Sequence, residues 1–170
     1  MILARSGLAP LPAAHLLSNH YNQTRDRYYR ELAAASRSSS TVSFVTYAVE
    51  GFVDGLREQI SEVRRLQLEV TWINYVHDTM NRFPSSAARD RQRALVLAMP
   101  AGEAIVKSEL ALLTPALAAM YATKGPRTLS RDLNRLQDEG LIHRHHGQWM
   151  ADHFVIEAYL PPMAENDHRS

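Results

Sequence analysis

The residues with the clearest chemical potential lie in the last third of the chain, where arginines and histidines recur at regular spacing. Arg127, Arg131 and Arg135 are four residues apart, so on a helix they would share one stripe. The planar guanidinium of arginine forms bidentate contacts with phosphate oxygens and guanine edges. The spacing therefore indicates contact with a nucleic acid, and no comparable set of residues indicates covalent catalysis.

The elements that must position this arginine stripe are a helix and a hairpin. Apolar residues at helical spacing mark a buried face, namely Leu129, Leu133 and Leu136. Gly140 is placed to end the helix in the left-handed conformation. A strand is predicted to begin at 141–142, and His146-Gly147 forms a tight turn before a second strand at 148–150.

The preceding residues supply the other parts of a winged helix-turn-helix. Ser86 to Met99 is predicted to be its first helix, and Ile105-Val106 a short strand. A further helix begins with Thr114 as N-cap and Pro115 at the first position, and Lys124-Gly125-Pro126 ends it. Its predicted apolar face consists of Leu117, Ala118, Met120 and Tyr121. A helix, a short turn, a second helix and a hairpin follow in the order that this motif requires.

This motif assigns a role to each candidate site residue, with double-stranded DNA as the predicted partner. The N-terminal turns of a recognition helix reach deepest into the major groove. The residues predicted to face base edges are Thr128, Ser130, Arg131 and Asn134. The residues predicted to contact phosphates are Arg127, Arg135, Arg144 and His146.

Two alternatives accompany the DNA prediction. In the first, the winged domain docks a target protein or another part of an enzyme, because Asp132, Asp138 and Glu139 partly offset the arginine stripe. In the second, the histidines at 143, 145, 146 and 153 bind zinc. The favoured interpretation of these histidines is an exposed polar wing, and neither a metal nor a cofactor is predicted.

Composition narrows the possible classes of protein. The 170 residues carry a net charge of only +1, so any DNA binding depends on local clustering of cations. The absence of cysteine excludes disulfides, thiolate metal sites and cysteine nucleophiles. No run approaches the roughly 20 apolar residues of a membrane span, and the first 17 residues make a poor signal peptide. We therefore expect a cytoplasmic protein with no membrane partner.

The first half of the chain is predicted to be helical. The end of a helix at residues 1–6, a proline-bearing loop to Pro12 and a helix over about 18–35 precede a polar linker at 35–41. One long helix then spans 41–82, where Gly51 and Gly55 either weaken it or admit another helix closely. Its apolar stripe is Val45, Val49, Phe52, Leu56, Ile60, Val63, Leu66, Val70 and Ile73. Because this stripe is too long to be buried by so small a domain, we expect it to pack on a second copy of the chain, giving a homodimer through helix 41–82, or on protein outside this sequence.

These segments together resemble the Fic (Fido) family. The similar features are the RSGLAPLP turn of residues 5–12, the Arg25–Tyr28-Tyr29–Leu32 pattern, and the Glu50-Gly51-Phe52 start of a long helix. Many Fic proteins also carry a C-terminal winged helix. The resemblance implies transfer of AMP from ATP to a protein hydroxyl, carried out at an HPFxxGNGR motif. No such motif occurs in the 170 residues, and the alignment would place it upstream of Met1. We therefore expect this chain to be non-catalytic.

The resulting expectation is a mainly α fold. Residues 1–83 form a Fic-like helical region without its catalytic loop, residues 84–163 a winged helix-turn-helix with a small β-hairpin, and residues 164–170 a disordered tail.

Overall fold

The structure is a computed structural model that describes residues 15–38 and 40–157, and it is mainly helical with one small antiparallel hairpin. The elements in chain order are α1 Leu16–Gln23, α2 Arg25–Ser38, α3 Val42–Asn81, α4 Ala87–Ala98, α5 Lys107–Leu110, α6 Pro115–Ala122, α7 Pro126–Asp138, β1 Ile142–His145, β2 Gln148–Ala151 and α8 Phe154–Glu157. The predictions for residues 1–12 and for the tail 164–170 lie outside the described residues. Two compact units divide the chain, Met1–Arg65 and Leu66–Ser170.

In the N-terminal unit, two glycines of α3 let α1 approach closely. A Cβ atom at Gly51 would overlap the imidazole of His20, and one at Gly55 would lie 3.2 Å from Leu16 Cδ2. The sequence left two roles open for these glycines, and the structure shows close packing of a neighbouring helix. Because a methyl group at position 51 would have no room, the close packing of α1 on α3 requires glycine at this position.

The single helix predicted over 18–35 is wrong, because α1 and α2 are separated at Thr24. The backbone there adopts φ −113° and ψ 38°. The Thr24 hydroxyl donates to the His20 carbonyl at 2.7 Å and also hydrogen-bonds the Tyr47 hydroxyl. Ser36 makes the same bond to the carbonyl four residues earlier inside an intact helix, so the additional bond to Tyr47 distinguishes Thr24. The contact with Tyr47 also ties the break to α3.

The predicted polar linker at 35–41 is also shorter than expected, since α2 continues to Ser38. Ser36 donates its hydroxyl to the Leu32 carbonyl at 3.0 Å, the back-bonding that accommodates serine inside a helix. The serines therefore extend the helix, and α3 begins at Val42 as the long helix predicted from the sequence.

Seven of the nine residues of the apolar stripe predicted along α3 are exposed on its own chain, and the other two, Phe52 and Leu56, are partly buried. In the N-terminal unit the buried side chain of α3 is Tyr47, whereas Val45 and Val49 are exposed. In the C-terminal unit the buried side chains of α3 are Trp72, Val76, Thr79 and Met80. Packing of the stripe on other protein stays a prediction. None of the described helices combines the length and apolar character needed to span a membrane.

The C-terminal unit begins inside α3 and not at the predicted boundary of residue 84. The reason is that the last turns of α3 contribute to the core of this unit. Its buried core consists of Trp72, Val76, Met80, Leu95, Val96, Met99, Ile105, Leu110, Leu117, Tyr121, Leu133, Leu136, Leu141, Ile142, Trp149, Ala151 and Ile156. A boundary placed at the helix end would therefore have removed part of the core.

Capping side chains set two helix starts of the C-terminal unit; the cap at Thr114 was predicted, whereas Ser86, predicted as the first helical residue, caps a helix that begins at Ala87. The Ser86 hydroxyl accepts from the Arg89 amide at 3.1 Å, and the Thr114 hydroxyl accepts from the Leu117 amide at 3.2 Å. Pro115 occupies the first turn of α6. The predicted burial of Met120 is wrong: only Leu117 and Tyr121 of α6 are buried, because they share one helix face.

The predicted hairpin is confirmed. Gly140 ends α7 with φ +68°, and His146-Gly147 connect the strands with φ values of 48° and 82°. Two consecutive positive φ values are those of a type I′ turn, which matches the twist of a two-stranded ribbon. The strand predicted at Ile105-Val106 is reduced to one residue, since Ile105 alone exchanges two backbone hydrogen bonds with Trp149, at 2.8 and 2.9 Å.

Two leucines of the C-terminal unit give a matched test of this core. Leu133 is 0% exposed and Leu112 is 70% exposed. We expect Leu133→Ala to lower the free energy of unfolding by about 2–5 kcal/mol, because the deleted atoms leave a cavity. Leu112→Ala should change it by no more than about 0.5 kcal/mol. Urea unfolding followed by circular dichroism measures both, and equal losses would contradict the core described above.

Candidate functional site

The helix α7 separates its side chains into an inward and an outward face. At about 100° per residue, Leu129, Leu133 and Leu136 fall on one side together with Asp132. Leu133, Leu136 and Asp132 are buried, and Leu129 packs against the core. The outward side carries Arg127, Ser130, Arg131, Asn134 and Arg135. The predicted apolar face is therefore confirmed, with a carboxylate added to it.

Asp132 is held by three other side chains inside the unit. Its Oδ2 accepts from Arg91 Nε at 2.7 Å and from the Tyr121 hydroxyl at 2.9 Å. Its Oδ1 accepts from Arg91 Nη2 at 3.1 Å and from Gln92 Nε2 at 2.8 Å. Because Arg91 and Gln92 belong to α4 and Tyr121 to α6, one carboxylate of α7 binds both neighbouring helices. We name these four residues the Asp132 network.

Burial and the neighbouring carboxylate keep Tyr121 protonated, and the same carboxylate keeps Arg91 protonated. Burial, followed by the adjacent Asp132 carboxylate, raises the pKa of the Tyr121 hydroxyl far above its ordinary value, so Tyr121 stays a hydrogen-bond donor. The hydrogen bond to Asp132 raises the pKa of Arg91. The guanidinium of Arg91 also lies 5.5 Å from the centre of the Tyr121 ring. The network is thus a buried ion pair whose remaining acceptor capacity is filled by neutral donors.

This arrangement corrects one premise of the protein-docking alternative. That alternative counted Asp132 among the residues that offset the arginine stripe at the surface. Asp132 is 2% exposed and its charge is paired with Arg91. The acidic residues that remain near the stripe are Asp138, which is exposed, and Glu139.

The outward face brings together most of the side chains predicted to face base edges. Arg131 and Asn134 are exposed, as is Arg127 one turn earlier. Ser130 is half-buried, and its hydroxyl accepts from Lys107 Nζ at 2.8 Å. Thr128 is also half-buried, at the border with the inward face, so it and Ser130 are less accessible than Arg131 and Asn134.

Arg135 lies at the end of the stripe and is already engaged. Its guanidinium carbon lies 4.2 Å from the centre of the Phe83 ring, and Nη2 lies 3.2 Å from Glu139 Oε1. The side chain nevertheless remains exposed. Stacking on an aromatic ring restricts an arginine while leaving its outer edge able to donate.

The hairpin presents the two remaining predicted residues. Arg144 of β1 is exposed and lies over Trp149, with its guanidinium carbon 4.7 Å from the ring centre. These two residues face each other across the ladder. His146 is exposed in the turn, and its ring lies 4.3 Å from that of His145. Arg144 therefore projects from a rigid strand and His146 from the tip of the hairpin.

The histidines predicted as a possible zinc site lie in different environments. Across 15–38 and 40–157, no three His, Asp or Glu side chains are grouped closely enough to share a metal ion. His143 Nδ1 lies 3.7 Å from Asp152 Oδ2, a pair that is ionic only when the imidazole is protonated. His153 packs on Trp72, with ring centres 4.2 Å apart.

Sequence reasoning missed three contributors to this surface. The Lys107 ammonium contacts Ser130 on α7. Phe83 and Trp149 lie under Arg135 and Arg144 respectively. Spacing along the chain gives no signal for the contacts of Lys107 and Phe83, which join residues distant in sequence, whereas the predicted turn at 146–147 already places Trp149 opposite Arg144.

Comparison with known proteins adds no further assignment. No family model, no curated protein and no solved structure matches the chain.

The Asp132 network gives a test of what orients α7. Asp132→Ala would leave the buried Arg91 guanidinium unpaired, so we expect the free energy of unfolding to fall by about 3–5 kcal/mol. Asp138→Ala removes an exposed carboxylate from the same helix and should change it by no more than about 0.5 kcal/mol. Urea titration of both variants measures these changes. A small loss of unfolding free energy in Asp132→Ala would show that the network does not hold the helices together.

His153 gives a test of pH dependence. Burial lowers its pKa below the ordinary value of 6.5, although the Ala151 backbone and the carboxylates of Asp152 and Glu157 oppose that shift. Because the unfolded chain then binds a proton more readily, His153 favours the folded state above pH 6.5. That contribution falls as the pH drops through 6.5 towards the folded pKa. We expect stability to fall less in His153→Gln than in the unmodified chain between about pH 8 and about pH 5. Equal losses of stability in His153→Gln and in the unmodified chain would contradict the lowered pKa of His153.

Proposed function

We propose that this chain binds double-stranded DNA through the outward face of α7 and the hairpin that follows it. In this proposal α4, α6, α7 and the hairpin form a winged helix-turn-helix, with Ile105 as a rudimentary third strand. The α7 helix would enter the major groove and the hairpin would contact flanking phosphates.

The observation that carries the proposal is the exposure of cationic side chains on two adjoining elements. Arg127 and Arg131 of α7 and Arg144 of β1 are all exposed, in a chain whose net charge is only +1. A surface that binds a polyanion requires such local concentration of positive charge. Because Asp132 is buried, its carboxylate does not offset the positive charge of this surface.

The assignment of roles within the surface follows accessibility. Arg131 and Asn134 are the exposed polar residues best suited to base edges, since arginine pairs with guanine and asparagine with adenine. We propose phosphate contacts for Arg127, Arg135, Arg144 and His146. Ser130 would contribute together with Lys107, to which it is hydrogen-bonded. Thr128, at the border of the inward face, would contribute least.

Two further parts of the proposal concern the rest of the chain. We propose that α3 mediates self-association, because seven of the nine residues of its apolar stripe are exposed. We also propose that the chain is a non-catalytic part of a Fic-like protein. This second part is supported by the sequence resemblance and by the absence of an HPFxxGNGR pattern from the 170 residues.

Removal of one wing cation tests the DNA proposal. We expect Arg144→Ala to weaken binding to all sequences alike, and to reduce the slope of log K against log salt by about one. Mobility-shift titrations of a duplex pool of randomised sequence, at several salt concentrations, measure this slope. Arg57→Ala removes an exposed arginine of the N-terminal unit and should leave the slope unchanged.

The outcomes of this experiment are distinct. No retardation of the duplex pool by the unmodified chain at low salt would overturn the proposal and leave docking of a protein as the alternative. Equal losses in Arg144→Ala and Arg57→Ala would show that binding follows total charge and not the proposed surface.

A further inference from the structure

Apart from Ile60, which lies at position e, the large exposed apolar residues of α3 follow a seven-residue repeat. Counting Val42 as position a of the repeat abcdefg, the a positions are Val42, Val49, Leu56, Val63 and Val70, and the d positions are Val45, Phe52, Gln59, Leu66 and Ile73. We name these ten residues the seam. They span about four and a half heptads of one helix, more than the three to four that a coiled coil requires.

Nearly all of the seam is available to a partner. Seven of its nine apolar side chains are between 38% and 71% exposed, and the other two, Phe52 and Leu56, are partly buried. The side chains of α3 that its own chain buries lie at other positions: Tyr47 at f, Trp72 at c and Val76 at g. The seam ends at Ile73, since the next d position, Met80, belongs to the core of the C-terminal unit.

We infer that a second copy of this chain packs on the seam as a parallel, in-register, two-stranded coiled coil. A strict repeat of 3.5 residues keeps one face towards a partner helix only if that helix winds around it with the same repeat. The chain itself supplies such a helix. Four of the five a positions are valine, and β-branched residues at a favour two strands when leucine occupies d, as Leu66 does in this seam. The inference rests on the self-association proposed above.

The one polar residue of the seam favours the parallel, in-register orientation. Gln59 lies at position d, and a parallel, in-register pair places its amide against the same amide of the other helix, where the two can hydrogen-bond. An antiparallel pair that overlaps the whole seam would instead place Gln59 against Leu56. Parallel pairing therefore gives the buried amide a polar partner.

Parallel pairing has a consequence for the proposed DNA partner. Both copies of the C-terminal unit would continue from the same end of the coil. Dimers of helix-turn-helix proteins bind two half-sites related by the symmetry of the protein. The partner would therefore be a DNA duplex that carries the recognised sequence twice.

Single cysteines test the register and the orientation, because the chain contains no cysteine of its own. Val49→Cys and Val70→Cys place one thiol at each end of the seam, and Ser61→Cys places an almost isosteric control at exposed position f. In a parallel, in-register pair each a residue meets its own copy within disulfide range. We expect mild oxidation to convert both valine variants to a covalent dimer, shifting the mass from 19.2 kDa to twice that value. Ser61→Cys should show only the background of random collisions.

Sedimentation equilibrium of the unmodified full-length chain separates the remaining outcomes. A dimer by mass in which neither valine variant cross-links would overturn the parallel register but leave self-association standing. A trimer would overturn the two-stranded arrangement. A monomer would overturn both the inference and the proposed self-association. Because the mobility-shift titration is read separately, DNA binding by a monomer would leave the DNA proposal intact.

Discussion

Three helices of the C-terminal unit meet at the carboxylate of Asp132. Arg91 and Gln92 reach it from α4 and Tyr121 reaches it from α6, so α7 is fixed in rotation about its own axis as well as in position. A leucine face alone tolerates some rotation, because apolar contacts are not directional. Four hydrogen bonds to one carboxylate are directional. The orientation of the opposite face, with Arg131 and Asn134 in solvent, depends on this constraint.

The outward surface is restrained by a second set of contacts. Arg135 and Arg144 each lie over an aromatic ring, Phe83 and Trp149 respectively. Restrained side chains lose less conformational freedom on binding, so an arginine held in place binds phosphate at a smaller entropic cost. The hairpin is itself fixed, since Trp149 is buried and pairs through its backbone with Ile105. The proposed DNA surface is therefore largely formed before any partner arrives.

Sequence reasoning succeeded where the physical signal is local. The cap at Thr114 and the turn glycines were correct because each depends on one or two neighbouring residues. Sequence reasoning failed where the deciding contact joins residues that are distant in the sequence. Asp132 lies 41 residues from Arg91, so the sequence suggested a surface carboxylate. The break at Thr24 was missed for the same reason, because the Thr24 hydroxyl bonds Tyr47 on another helix.

The most direct test of the central claim is a map of which residues respond to DNA. Amide chemical shifts of the full-length chain, followed by NMR during titration with a duplex selected from the randomised pool, provide it. The account predicts shifts concentrated at Arg127, Arg131, Asn134 and Arg144, with the amides of α1 and α2 unchanged. Shifts confined to α1 and α2, or none at saturating duplex, would contradict it.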